Sequence, residues 1–250
     1  MRDIRKIFKI EENKKISSRT WFLRLKGDVS DFSSSGQFVN IAVPGKYLRR
    51  PISVNKYFPE ENELHLLYNV AGEGTDILSN MGPGNELDLL VGLGTGFSIP
   101  EEIQHPLLLG GGIGAAPLQQ LAYDLMANGK FPQVILGYNT AEESWGMEKE
   151  LQNIGITSFV ATLDGSKGTK GFVTDVIKDK NLKFDYFYAC GPTPMLKALT
   201  SLETDGELSL ECRMGCGFGA CMCCSLETKE GNKRICKDGP VFKKTELIWK

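Results

Sequence analysis

Four cysteines near the C-terminus of this 250-residue chain have the residue type and spacing of a metal centre. They follow the pattern C-x4-C-x2-C-x11-C and are Cys216, Cys221, Cys224 and Cys236. The first three match a spacing with which cysteine thiolates hold a 2Fe–2S cluster, although the fourth cysteine returns sooner than is usual. The intervening glycines let the backbone wrap closely around such a core and point N–H groups at its sulfurs. We therefore predict these four thiols as the ligands of a 2Fe–2S cluster.

Two other interpretations of the cysteines stay open at the level of sequence. Four thiolates also bind structural zinc, although such sites usually contain two separated C-x2-C pairs and only one tidy pair is present here. The cysteines could also form disulfides or remain unligated. Cys212 and Cys223 are excluded from the predicted ligands, because Cys212 breaks the spacing and Cys223 stands between two ligands.

Composition and charge restrict the compartment and the partners. A formal net charge of -2 and a pI near 5.8 give no electrostatic reason to expect nucleic acid or an anionic membrane as a partner. The charged segment 1–6 is followed by no long apolar run, so we expect neither a signal peptide nor a membrane span. Seven cysteines, clustered with glycine, indicate a reducing compartment, which we take to be the cytoplasm.

The first 99 residues read as short strands broken by turns. Apolar and polar residues alternate in 21–26 and 63–70, and segments 36–44 and 85–91 are also strand-like. Strands at this spacing, with little helical periodicity, predict a small antiparallel β-barrel.

Two polar clusters interrupt the predicted barrel. Arg50-Pro-Ile-Ser53 begins a strand, and Gly72-Glu-Gly-Thr75 precedes a possible short helix at 76–79. A Gly-x-Gly-Thr turn at a helix start presents N–H groups to an anion, and an arginine can clamp a pyrophosphate with two parallel hydrogen bonds. Taken singly, each cluster could equally be an ordinary turn or a solvated arginine.

After residue 99 the pattern changes to apolar strands that alternate with helices. Strand 106–109 feeds the glycine run 110–114, which is followed by an amphipathic helix at 118–126. This order is the context that a dinucleotide-binding fingerprint requires, and Pro117 replaces its third glycine in the first helical turn. Further strands are predicted at 133–138, 158–162 and 184–189. They indicate a doubly wound sheet with ligand loops at the carboxyl ends of its strands, although a sheet of this type that binds nothing is the alternative.

The predicted fold is therefore a multi-domain β + α/β protein. An antiparallel FAD-binding β-barrel is expected over residues 1–99, a Rossmann-like NAD-binding domain over 100–205, and a small C-terminal 2Fe–2S cluster subdomain over 206–250. The cofactor assignments in this division depend on the resemblance that follows.

The order of barrel, pyridine-nucleotide domain and cysteine loop resembles the ferredoxin–NADP reductase superfamily. Within it, the chain looks most like the electron-transfer subunits of dihydroorotate dehydrogenase B. The resemblance covers nearly the whole chain, and its most specific part runs from Arg213-Met-Gly-Cys216 to Cys236-Lys-Asp-Gly-Pro-Val-Phe242. Other matching elements are Arg50–Ser53, Gly72–Thr75, Gly111–Gly114, Asp164–Ser166, Lys170–Asp175 and Cys190–Pro192.

The resemblance implies three cofactors, namely FAD, a 2Fe–2S cluster and NAD, and no catalytic acid or base. Arg50 would hold the FAD pyrophosphate, Ser53 would lie near the flavin ring, and Gly74 and Thr75 would bind phosphate. The full expected FAD set is Arg50, Pro51, Ile52, Ser53, Leu67, Tyr68, Asn69, Gly74 and Thr75. The loops expected to bind nucleotide contain Gly111, Gly112, Gly114, Cys190, Gly191 and Pro192.

The resemblance also implies a function in pyrimidine biosynthesis. NAD exchanges two electrons as hydride and a 2Fe–2S cluster exchanges one, so a flavin is expected between them. Electrons would leave dihydroorotate at FMN on a separate catalytic subunit, pass through the cluster to FAD, and reduce NAD+. We expect a heterotetramer with two copies of each subunit. One alternative is a homologous subunit of a hydrogenase or an NADH–ferredoxin oxidoreductase complex, and another is a zinc-stabilised nucleotide-binding module without redox activity.

The sequence favours NAD over NADP. The second strand of the sheet continues into Asn139-Thr-Ala-Glu-Glu143, and acidic groups at this place suit a ribose hydroxyl, whereas an arginine would meet a 2′-phosphate. No arginine occurs between Arg50 and Arg213. Lys149 or Lys167 could nevertheless reach the ribose, so this preference needs the structure.

Overall fold

The computed structural model describes residues 4–249, and six antiparallel strands form a closed barrel in its N-terminal part. These strands are β1 (Arg5–Lys15), β2 (Thr20–Lys26), β3 (Phe38–Ile41), β4 (Arg50–Phe58), β5 (Glu63–Asn69) and β6 (Glu86–Leu93). They pair in the order β1-β2-β5-β4-β3-β6, and helix α1 (Glu73–Ser79) follows β5. The barrel is the one predicted.

Alternation along the strands fills the barrel interior. Leu23 and Leu25 of β2 point inward against Leu64 and Leu66 of β5, and all four side chains are fully buried. Each such side chain contributes about 1.5–3 kcal/mol relative to exposure. Strand β1 is not among the predicted strands, because most of its residues are charged or polar and its central positions alternate only weakly.

A seven-stranded sheet follows the barrel. Its strands are β7 (Pro106–Gly111), β8 (Gln133–Tyr138), β9 (Thr157–Thr162), β10 (Thr169–Lys170), β11 (Tyr186–Cys190), β12 (Gly206–Ser209) and β15 (Val241–Lys243). Between β12 and β15 the chain forms a separate hairpin of β13 (Ser225–Thr228) and β14 (Gly231–Arg234). The order is β10-β9-β8-β7-β11-β12-β15, and all neighbours are parallel except β12 and β15. Its helices are α2 (Ala116–Ala127), α3 (Met147–Asn153), α4 (Val173–Asp179) and α5 (Thr193–Leu199). All six residues of β7 are buried, as expected of a parallel strand with both faces covered.

The C-terminal segment is tied into this sheet. Strand β12 pairs with β11, and β15 returns antiparallel to β12 with Leu208 opposite Phe242. Both strands lie in the predicted cluster subdomain 206–250, so that segment shares the sheet and its core with the nucleotide domain. The division at residue 205 stays a prediction. Within residues 4–249, no helix is long and apolar enough to cross a membrane.

Candidate functional site

The four predicted ligand cysteines stand as two pairs. The Cys216 N–H donates to the Cys221 sulfur at 3.4 Å, and the Cys221 N–H donates back to the Cys216 sulfur at 3.5 Å. In the second pair, the Cys236 N–H donates to the Cys224 sulfur at 3.4 Å. Among residues 4–249, no three His, Cys, Asp or Glu side chains gather as a group able to hold one metal ion. Two pairs of thiols fit the two irons of a 2Fe–2S cluster, each iron taking two cysteines.

The backbone prepares the first pair for metal binding. Burial would raise the pKa of Cys216, but N–H groups of Cys221, Phe218 and Ala220 outweigh it and lower that pKa to about 6. The thiolate is the form that binds metal, so this residue is ready at neutral pH. In the other pair, burial and the neighbouring Cys224 raise the pKa of Cys236 to about 12, and positive charge from bound iron would offset this.

The two excluded cysteines occupy different positions. The Cys223 thiol is exposed and faces the Arg213 carbonyl oxygen at 3.9 Å. Cys212 lies closer to the predicted ligands than its place in the sequence indicates, because Cys224 is its neighbour. Burial is the main cause that raises the pKa of the Cys212 thiol to about 12, and Cys224 adds to it. The exclusion of both from the ligand set stays a prediction.

The cysteine loop is fastened to the barrel. The Asn40 amide of β3 donates to the Cys216 carbonyl oxygen at 3.2 Å. Gly217 has φ +81°, and a Cβ there would lie 2.4 Å from the Asn40 amide nitrogen, so only glycine allows this approach. Because Asn40 pairs with Pro51 of β4, the loop lies beside the strand that carries the predicted FAD residues.

A cavity of about 300 Å³ lies between the barrel and the sheet. The predicted FAD residues on its wall are Pro51, Ile52, Ser53, Leu67, Tyr68, Asn69 and Thr75. The residues that sequence reasoning missed are Phe38, Ala71, Ile113, Ala116, Ser209, Leu210, Glu211, Cys212, Met214 and Pro240. Of these, Met214 and Pro240 lie inside the two motifs flanking the cluster cysteines, which could have revealed them.

Arg50 and Gly74, the two remaining FAD residues of the prediction, meet at the start of α1. A Cβ on Gly74 would lie 2.1 Å from the Arg50 Nε, so the missing side chain makes room for the guanidinium. The Thr75 hydroxyl accepts the N–H groups of Ala71 at 2.9 Å and Gly72 at 3.2 Å. This arrangement places a cation and a glycine turn together at the rim, as a pyrophosphate requires.

A larger cavity of about 640 Å³ opens at the carboxyl ends of β7, β8 and β9. Of the residues predicted to bind nucleotide, Gly111, Gly112 and Pro192 line this cavity, whereas Gly114 and Cys190 line the smaller one. Gly191 lies behind the fingerprint, since a Cβ there would be 3.0 Å from the Gly111 Cα. This position relative to a doubly wound sheet is where such folds bind dinucleotides.

The two cavities share part of their walls. Asn69, Ile113 and Glu211 line both, so a nicotinamide bound in the larger cavity would adjoin a flavin bound in the smaller one. Burial raises the pKa of the Glu211 carboxyl at this junction. Sequence reasoning gave Glu211 no role, because an isolated acidic residue before a cysteine motif has no recognisable spacing. The residues present thus fit all three predicted cofactors.

Comparison with known proteins agrees with this geometry. A family model for the iron–sulfur cluster binding domain of dihydroorotate dehydrogenase B matches residues 211–248. The electron transfer subunit of dihydroorotate dehydrogenase B (NAD(+)) from Fusobacterium nucleatum is 44% identical over 247 residues, covering 93% of this chain and 94% of the relative. The corresponding subunit from Bacillus pumilus is 41% identical, covering 95% and 96%.

Solved structures agree on the fold. The structure of an NADH-dependent reduced ferredoxin–NADP oxidoreductase, described for flavin-based electron bifurcation, has a TM-score of 0.88 and 32% identity, covering 97% of this chain and 90% of that one. A ferredoxin NADP+ reductase from Neisseria gonorrhoeae with bound FAD and NADP has a TM-score of 0.66 and 17% identity over 78% and 89%, which shows the fold alone. The predicted fold class and the predicted role as an oxidoreductase electron-transfer subunit are confirmed. The chain belongs to the family of dihydroorotate dehydrogenase B (NAD+) electron transfer subunits.

Proposed function

We propose that this chain carries electrons between a dihydroorotate dehydrogenase catalytic subunit and NAD, using FAD and a 2Fe–2S cluster at the sites described above. The observation that carries the proposal is their continuity. The nucleotide cavity shares Asn69, Ile113 and Glu211 with the smaller cavity, and Cys212 and Met214 on the wall of the smaller cavity lead directly into Cys216.

The chain itself holds the sites in register. Asn55 of β4 donates to the Ala116 carbonyl oxygen at 2.8 Å and to the Gln119 side-chain oxygen at 2.9 Å, which fixes the fingerprint helix α2 to the FAD strand. When bound, the flavin exchanges hydride with NAD and single electrons with the cluster. Asn69, Ile113 and Glu211, which line both cavities, would orient the two groups at their junction.

The partner expected for this subunit is an FMN-containing dihydroorotate dehydrogenase subunit. Phe218 and Met222 of the cysteine loop are 48% and 53% exposed, and Cys221 is also exposed, so another protein can approach the cluster closely. We extend the proposal to a heterotetramer of two copies of each subunit in the cytoplasm. The clustering of the seven cysteines with glycine, which is typical of a metal site rather than of a disulfide framework, supports a reducing compartment.

Reconstitution tests the proposed function. The isolated chain, loaded with FAD and cluster, is expected to oxidise NADH with artificial acceptors but not to oxidise dihydroorotate. Adding the FMN-containing catalytic subunit should give dihydroorotate-dependent NAD+ reduction. Cys221→Ser should interrupt this reaction and retain FAD, whereas the matched Cys223→Ser should support it. A cluster-free Cys221→Ser protein that transfers electrons at the normal rate would show that the cluster is only structural.

The similarity at a TM-score of 0.88 to an NADH-dependent ferredoxin–NADP oxidoreductase favours a second candidate, in which the partner is a ferredoxin-linked complex. Reduced ferredoxin in place of dihydroorotate and the catalytic subunit separates the two candidates. NAD+ reduction by ferredoxin alone would favour the second. A visible spectrum without flavin or iron–sulfur absorbance, on a sample that retains zinc, would instead support the zinc-stabilised module.

A further inference from the structure

An arginine of the barrel reaches the nucleotide cavity. Arg19 lies in the turn between β1 and β2 and lines the larger cavity together with Tyr138 and Asn139 of the sheet. The Ser18 N–H donates to the Glu142 carbonyl oxygen at 2.9 Å and holds this turn against the loop after β8. Among the described residues that line the cavity, Arg19 carries the only positive charge.

The carboxylate of Glu143 faces this arginine. Its Oε1 lies 3.4 Å from the Arg19 Nη1, and its side chain is only 16% exposed. The Asn139 N–H donates to the Glu143 Oε2 at 3.1 Å, and the Asn139 amide nitrogen donates to both oxygens at 3.0 Å. Burial opposes ionisation of Glu143, but these bonds prevail and its pKa lies below the usual range. A charged Glu143 therefore neutralises Arg19.

This pair lies at the end of the cavity that suits an adenosine. Leu163 and Phe172 line the same end and are 42% and 64% exposed, so they can cover an adenine ring. The diphosphate belongs at Gly111 and Gly112 on the other side of β8. With its amide nitrogen committed to Glu143, Asn139 presents its side-chain oxygen as the acceptor for a ribose hydroxyl.

The two lysines that could compete, Lys149 and Lys167, do not line the larger cavity. The Lys167 ammonium donates to the Ser144 hydroxyl at 2.9 Å and forms an ion pair with Glu148, which is only 5% exposed. Breaking that pair would leave a buried charge, so Lys167 is held away from the ribose. Arg19 is thus the cation best placed to meet a 2′-phosphate, despite its distance in sequence from the fingerprint.

We propose that Glu143 selects NAD over NADP by neutralising Arg19. Without the charge of Glu143, this arginine of the barrel would bind the 2′-phosphate of NADP. This inference rests on the proposed function, because it requires the larger cavity to hold the nucleotide. A 2′-phosphate brings close to two negative charges to a site where a carboxylate already occupies the guanidinium. Removing the carboxylate charge frees the guanidinium for charge-assisted bonds to the phosphate.

Binding of two small probes to the full, FAD-loaded chain tests the inference without an activity measurement. Isothermal titration would compare 5′-AMP with 2′,5′-ADP, which differ only in the 2′-phosphate of the adenosine ribose. Glu143→Gln is expected to tighten the binding of 2′,5′-ADP at least tenfold and to change the binding of 5′-AMP less than threefold. The double variant Arg19→Gln/Glu143→Gln is expected to lose the gain. Glu142→Gln removes one charge from the same loop and serves as the matched control.

Each outcome decides the matter. An equal gain in 2′,5′-ADP affinity from Glu142→Gln would show that the effect depends only on net charge. A gain in affinity that remains in the double variant would show that another cation binds the 2′-phosphate. No gain at all in Glu143→Gln would also overturn the inference. If the unmodified chain binds 5′-AMP and NADH, these outcomes leave the proposed function standing. If it binds neither, the nucleotide cavity itself is wrongly assigned and both conclusions fall. Flavin content and circular dichroism establish that each variant is folded.

Discussion

Asn55 provides the sharpest test of how the two nucleotide sites are held together. It is 2% exposed, and its amide nitrogen makes both hydrogen bonds between β4 and α2 described above. Asn55→Ala removes the two bonds and leaves two acceptors without this donor, and such losses cost about 2–4 kcal/mol in total. For a protein of this size, the melting temperature should fall by roughly 5–15 °C.

The same change should affect hydride transfer more than cofactor content. Helix α2 follows the fingerprint loop directly, so loosening it shifts the nucleotide relative to the flavin strand. Misplacement on the order of 1 Å can cost about 100-fold in rate. We therefore expect NADH to reduce the flavin 10- to 100-fold more slowly in stopped-flow measurements at saturating NADH, while iron content stays normal.

Two further variants make this prediction refutable. Asn55→Asp keeps the shape but cannot donate, so it should be at least as damaging as Asn55→Ala. Asn153→Ala, at the exposed last position of α3, should change neither melting temperature nor rate. A lower melting temperature with an unchanged rate of flavin reduction would show that Asn55 only stabilises the fold. An unchanged melting temperature would refute the reasoning from its hydrogen bonds.

Three other predictions concern the cofactor sites. Gly74→Ala should displace Arg50, since a Cβ would lie 2.1 Å from the Arg50 Nε, and should weaken FAD binding at least tenfold as measured by flavin fluorescence. Gly72→Ala is the control, because a Cβ at Gly72 would have nothing within 4 Å. An equal loss of FAD affinity in the control would contradict the reasoning. Gly217→Ala should reduce cluster content because φ is +81° and the site is crowded, whereas Gly231→Ala, with φ +102° and open space, should not. Iron analysis of serine variants should show retention for Cys212 and Cys223 and loss for Cys216, Cys221, Cys224 and Cys236; full iron in Cys224→Ser with loss in Cys223→Ser would reverse the assignment.

Local patterns in the sequence were sufficient for much of this protein. Alternation predicted the barrel, because one face of each strand is buried against the same core. The glycine run after a buried strand predicted the nucleotide fingerprint, because a tight turn and a close backbone approach require glycine. The cysteine spacing predicted the thiols that the structure brings together as pairs. In each of these cases the physical requirement falls within one short stretch of chain.

Contacts between distant segments are what the sequence concealed. Arg19 lies about ninety residues before the fingerprint, and nothing in its own neighbourhood marks it as a nucleotide residue. A preference judged from the arginines near the second strand of the sheet therefore leaves Arg19 out. The strand β12 was missed for a different reason. It is only four residues long, and fully buried strands of that length carry no alternation to detect.

The position of β12 explains why the proposed cluster site lies beside the proposed flavin site. This strand lies between β11 and β15 in the sheet, and the chain leaves it through Ser209, Glu211 and Met214, which line the proposed FAD cavity, before it reaches Cys216. Strand β15 returns after Cys236 and pairs with β12, so both ends of the cluster segment are fixed to one element of the sheet. A ferredoxin-like loop tethered by a free linker would have no defined distance to the flavin. Here the backbone that forms the wall of the proposed FAD cavity also presents Cys216, the first of the proposed ligand thiols, so we expect electron transfer to depend on that fixed separation.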